Sequence, residues 1–139
     1  MSMFKAMDLS ASGLTAQRQR LDVIAENLAN INTTRTAEGG PYKRKSVIME
    51  ATPAEDFDSF LGSPEKVEVV QITEDSKKPI SEYDPSHPDA DQNGMVLYPD
   101  INPVSEMVHL MLASRAYEAN VAVLRTGKSM AQKALEIGR

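Results

Sequence analysis

The stretch DADQNGMVLYPD, residues 89 to 100, has the spacing of a calcium-binding loop. Asp89, Asp91 and Asn93 stand at its first, third and fifth positions, and Gly94 falls where such a loop turns sharply. The twelfth position should be a glutamate gripping the ion with both oxygens, and here it is Asp100, one methylene shorter. The loop also needs a helix on either side. Pro79, Pro85 and Pro88 precede it, and Pro99 and Pro103 follow, so no helix can enter or leave. The reading these residues support is a solvated turn whose Asp and Asn side chains bond its own backbone.

Two other clusters invite a metal. Asp84, His87, Asp89 and Asp91 in YDPSHPDAD carry suitable donors, but nothing in the pattern supplies a remote ligand or the groups that would orient one. Glu106 and His109 in EMVH have the Glu-x-x-His spacing of di-iron bundles, which require a second copy and two further glutamates. There is one copy, and His109 is expected on the polar side of its helix. With two histidines, no cysteine, no strand-Ser-helix elbow and no phosphate loop, the residues present no recognisable catalytic motif, and the metal-like patterns read as solvated loop and helix surface. The basic run Lys43 to Lys45 alternates as in a strand and reads as a solvated edge. A formal net charge of -5 argues against a nucleic-acid partner.

The elements that would hold such residues follow from proline. All 8 prolines lie between Pro41 and Pro103, leaving two proline-free ends that can each be one long helix. Met7, Leu14, Leu21 and Leu28 recur every seven residues, with Ile24 and Ile31 between them, which predicts a helix from about Met3 to Ile31. It should end in NINTTRTAEGG. Towards the other end Met107, Leu110, Ser114, Tyr117, Val121, Leu124, Lys128, Ala131 and Leu135 form a second seam, in which Lys128 is the misfit. Beside it runs another stripe, Val104, Val108, Leu112, Ala116, Val123 and Met130, so this helix wants more than one neighbour.

Between the helices, YKRKSVIM, KVEVVQI and MVLY read as short strands, and Asn93-Gly94 suits a tight turn into the last of them. The expected fold is therefore mainly α with a small β module: terminal helices pairing as an antiparallel coiled coil around a short β- and loop-rich insert. The expected division is residues 1–34 with 101–139 as the helical part and 35–100 as the insert. No apolar run exceeds four residues, which leaves no membrane span and no hydrophobic segment of a cleaved secretory signal.

The same residues carry a family resemblance. SASGLTAQRQRLDVIAENLANINTT resembles the amino-terminal signature of the bacterial flagellar axial proteins, with SGL, NLAN and Asn32-Thr33 as its diagnostic parts. EMVHLMLASRAYEANVAVLRTGKSM resembles their carboxy-terminal signature, whose core is Glu106, Met107, Arg115, Tyr117, Glu118, Ala119 and Asn120. The middle, GGPYKRK and YDPSHPDADQNGMVLYPDIN, is similar to the short proximal-rod members, with Met95 standing where an aromatic residue is expected.

The resemblance implies a structural subunit of the basal-body rod in the periplasm, exported unfolded by the flagellar type III apparatus without signal cleavage. It implies assembly into a hollow helical drive shaft that transmits torque, with no enzymatic activity and no cofactor. Implied partners are copies of itself, the rod proteins FlgB, FlgF and FlgG, a FliE-type adaptor and the export apparatus, with no nucleic acid and no direct membrane insertion. The residues expected to pack helices in that assembly are Met7, Leu14, Leu21, Ile24, Asn27, Leu28 and Asn30 at one end. At the other they are Met107, Leu110, Arg115, Tyr117, Glu118, Asn120, Val121, Leu124 and Leu135. The competing function is a non-polymerising helical adaptor or secretion chaperone.

Overall fold

A computed structural model describes residues 3–52 and 65–138. Helix α1 spans Met3–Ala29 and α2 spans Pro103–Ile137. Between them lie two antiparallel hairpins: β1 (Lys45–Thr52) pairs with β2 (Lys66–Glu74), and β3 (Ile80–Tyr83) with β4 (Met95–Tyr98). A bulge at Ile48/Met49 shifts the register of the first pair. Strand β3 was not expected. Its four residues are all exposed and Pro79 precedes it, so neither burial pattern nor composition marks it; its partner β4 creates it.

The chain ends α1 two residues earlier than Ile31. Both the backbone N–H and the side-chain amide of Asn30 donate to the Glu26 carbonyl, at 3.1 and 2.9 Å, which closes the last turn with a local bond. The start of α2 is built by Asn102, whose side-chain oxygen accepts from the N–H groups of Val104 and Ser105 at 3.0 and 3.2 Å, with Pro103 in the first helical position.

The two helices run antiparallel. Asn27 meets Glu106, Gly13 faces Asn120, and Met7 lies against Gly127. On its other side α1 carries the β1–β2 hairpin: Ser12 Oγ accepts the Val67 N–H at 3.3 Å, and Thr15, Ala16 and Gln19 line a crevice with residues 66–69. Helix α1 is thus the middle layer, which explains why the buried Ala16 and Val23 stand beside the seam and not in it.

On α2 the seam is rotated by one residue from the expected row. Leu110, Tyr117, Leu124 and Ala131 are half-buried as a seam requires, but the companion row is Glu106, Ala113, Asn120 and Gly127, with Glu106, Ala113 and Gly127 buried. Met107, Lys128 and Leu135, of the row one residue on, are exposed. Hydrophobicity pointed to the wrong row because the true one is small and polar. Small side chains let the helices approach: a Cβ at Gly127 would stand 3.2 Å from Met7 Cγ, and one at Gly13 2.9 Å from Asn120 Nδ2. Lys128 is no misfit; it lies outside the contact.

This rotation has a measurable consequence. Ala113→Leu is expected to cost the isolated chain about 1–3 kcal/mol by overpacking a fully buried position. Met107→Ala, at an exposed one, should change stability by less than about 0.5 kcal/mol. Urea unfolding of both variants checks it, and the reverse order would restore the expected row.

Candidate functional site

At the junction of α1, α2 and the start of β1, Asn27 and Glu106 are each 1% exposed. A buried carboxamide offers two N–H donors and two acceptor sites, and all are used. Asn27 Nδ2 donates to the Lys45 carbonyl at 2.9 Å and to Glu106 Oε2 at 3.2 Å. Its Oδ1 accepts the Tyr42 hydroxyl at 3.0 Å and the Lys45 backbone N–H at 2.9 Å. One side chain of α1 therefore pins the strand entry and α2 together.

Glu106 is held from the opposite side by Arg44, whose Nε and Nη2 approach Oε1 at 2.8 and 2.7 Å, while Nη1 donates to Ser46 Oγ at 2.8 Å. His109 Nδ1 stands 3.7 Å from the same carboxylate oxygen. Taking a carboxylate out of water costs several kcal/mol unless it is paired and hydrogen-bonded, and here both oxygens have partners. Glu106 also lies in the first turn of α2, where the helix dipole favours a negative charge. At the rim, Lys45 Nζ pairs with Glu26, which raises the lysine pKa through that hydrogen bond against a smaller opposing effect of burial. Burial, reinforced by the carboxylates of Glu26, Glu74 and Glu106, pushes the Tyr42 hydroxyl up to about 12.

The expected packing residues fall as follows. Ile24 and Asn27 are buried, and Met7, Leu14, Leu21, Leu28, Asn30, Leu110, Tyr117, Asn120, Val121 and Leu124 are half-buried. Met107, Arg115, Glu118 and Leu135 are exposed. Arg44 and Tyr42 were missed, and of Lys43 to Lys45 only Lys43 is solvated as expected: Arg44 and Lys45 are turned into ion pairs with Glu106 and Glu26. The signal that would have found the junction was Glu106 itself, spaced by seven from Ala113, Asn120 and Gly127.

The calcium-like stretch is occupied by its own backbone. Asp91 Oδ1 accepts the N–H groups of Asn93 and Met95 at 2.8 and 3.0 Å. Asp84 Oδ1 takes the N–H and hydroxyl of Ser86, which lower its pKa. Asp89 Oδ2 takes the Thr34 hydroxyl at 2.8 Å, tying this loop to the turn after α1. Among the described residues no three His, Asp or Glu side chains are grouped to hold a metal. The geometry offers packing surfaces and a clamp.

The junction joins two segments that match known families separately. Residues 7–35, which include Asn27, match the family described as flagella basal body rod protein. Residues 92–137, which include Glu106, match the family described as flagellar basal body rod FlgEFG protein C-terminal. Over the whole chain, the flagellar basal-body rod protein FlgC of Bacillus subtilis is 43% identical, covering 100% of both proteins. That of Borreliella burgdorferi is 40% identical over 99% of this chain and 98% of its own length, and that of Salmonella typhimurium 38% over 100% of both. The chain belongs to the FlgC family of flagellar basal-body rod proteins. Membership makes it a structural component of the flagellar basal body, in a family with no catalytic member indicated. Tyr42 and Arg44 lie between the two matched segments.

Two outcomes test the clamp. Arg44→Ala should destabilise the chain by about 3–5 kcal/mol, because it strands a buried carboxylate, whereas Arg44→Ala combined with Glu106→Ala should cost clearly less than the sum of the single changes. The pH dependence has a definite sign. The folded pKa of Tyr42 lies above its unfolded value of 10.0, so its contribution is complete below pH 10 and lost as pH rises towards 12; the raised Lys45 acts in the same direction. Tyr42→Phe should cost about 1–2 kcal/mol at pH 8 through the lost bond to Asn27. Urea unfolding between pH 10 and 12 should show that gap narrowing, and a constant gap would contradict the assignment.

Proposed function

We propose that this chain is a subunit of the proximal rod, polymerising with copies of itself and with other rod proteins into a hollow shaft that carries torque across the periplasm. The observation that carries this reading is the apolar surface left over on α2. Val104, Met107, Val108, Met111, Leu112, Val123 and Met130 are all exposed although α1 already covers the other side of the helix. A face of this length is costly in water and supports burial against neighbouring subunits. Stiffness would come from the clamp, which fixes α1, α2 and the strand entry relative to one another, so that force applied to one helix is passed on through packed side chains. The rod proteins FlgB, FlgF and FlgG and a FliE-type adaptor are the partners this reading calls for, and passage through the type III export apparatus is the route that needs no cleaved signal. Residues 1–34 with 101–139 would form the shaft and residues 35–100 its decoration.

The test separates assembly from folding. Met111→Asp alters a residue that is 57% exposed, so the isolated chain should stay folded by circular dichroism while cells carrying it lose swimming and yield basal bodies without a rod. Leu124→Asp and Leu21→Asp, at half-buried seam positions, should lose both. His87→Ala should swim normally. If Met111→Asp swims and His87→Ala does not, the shaft reading fails and a loop site takes its place.

A further inference from the structure

Of the chain's asparagines only Asn93 is followed by glycine. In an Asn-Gly pair the glycine nitrogen, with no side chain beside it, can attack the asparagine Cγ. The new N–C bond closes a five-membered imide, the Cγ–Nδ2 bond breaks and ammonia leaves; water then opens the imide at either carbonyl, giving aspartate or isoaspartate. The reaction needs water alone, no oxidant and no enzyme. It does need a free Gly94 N–H and freedom to bring the side chain round to it.

The fold withholds both. The Gly94 N–H donates to the Asp91 carbonyl at 3.0 Å, and the Asn93 N–H donates to Asp91 Oδ1 at 2.8 Å. Met95 is held twice to the same residue: its N–H donates to Asp91 Oδ1 at 3.0 Å, and its carbonyl accepts the Asp91 N–H at 2.9 Å. Gly94 adopts φ 75° with Tyr83 and Pro85 packed against it, close enough that a Cβ would stand 2.9 Å from Tyr83 Cε2. Its carbonyl accepts the Asp84 N–H at 2.9 Å.

We infer that Asn93 is a spontaneous deamidation site guarded by the Asp91 turn: closed in the folded chain and open whenever the β3–β4 hairpin is unfolded. The product matters structurally. Isoaspartate inserts a methylene into the main chain between Asp91 and Met95, where the bonds just given fix the hairpin register, and β4 places Val96, 0% exposed, directly after. A chain damaged while unfolded would therefore form a defective hairpin. The four hydrogen bonds centred on Asp91, three accepted and one donated, act as protection of the sequence as well as of the turn.

The experiment is incubation of the full chain at pH 8 and 37 °C, native and in urea, followed by tandem mass spectrometry of the tryptic peptide holding Asn93. Conversion at Asn93 in urea should outrun that at every other asparagine, and should be at least about tenfold slower in the native chain, since native reaction requires local opening. Asp91→Ala should raise the native rate towards the unfolded one, and Asn93→Gln should suppress conversion in both states. Equal native and unfolded rates, or a native rate unmoved by Asp91→Ala in a chain that still shows its hairpin by amide exchange, would overturn the guard. Absence of preferential conversion in urea would overturn the site.

Discussion

The pairing of the buried Glu106 carboxylate with the Arg44 guanidinium governs this structure. Glu106 sits on the face of α2 turned to α1, where a leucine would be expected, and its charge is tolerable only while Arg44 and Asn27 occupy its oxygens. Arg44 can be there only if the chain after α1 turns back at Tyr42 and enters β1 at Lys45, which is what Asn27 enforces with its remaining bonds. The carboxylate thereby dictates helix register and strand entry together. A hydrophobic pair in its place could slide by a turn with little loss; this one cannot, because any other register leaves an unpaired charge.

The choice of small residues along the rest of the contact follows from the same constraint. With the register set at one end, Ala113, Asn120 facing Gly13, and Gly127 facing Met7 let the helices stay close for the remaining length. Leu110, Tyr117 and Leu124 flank this contact, and the other bulky side chains of α2 emerge on the outer face as Met107, Val108, Met111 and Leu112. A most-buried row that is small and polar beside an outer face that is large and apolar departs from a self-sufficient helical hairpin.

The acidic middle segment shows a different economy. Its Asp residues are spaced like metal ligands, yet Asp84, Asp89 and Asp91 each spend their oxygens on neighbouring backbone or hydroxyl groups. That is how a loop carrying several prolines and little apolar content holds a shape: local Asx bonds replace a core. The Asp89 bond to Thr34 then anchors the loop near the end of α1, close to where the clamp begins.

Two long helices, their antiparallel return, three of the strands and the turn at Asn93-Gly94 were legible in the sequence, since proline placement, seven-residue spacing and glycine chemistry act locally, though the first strand was expected at 42–49 and lies at 45–52. Leu110, Tyr117 and Leu124, expected as packing positions, are half-buried. Strand β3, the rotation of the α2 seam and the clamp were not. Ile80–Tyr83 becomes a strand only because β4 lies beside it, and Glu106 becomes an inner residue only because Arg44, 62 positions away in sequence, arrives to neutralise it. Periodicity weighs each residue by its own hydrophobicity and assigns a glutamate to solvent. Whether a charge can be buried depends on what else is buried with it, and that is decided by the tertiary structure.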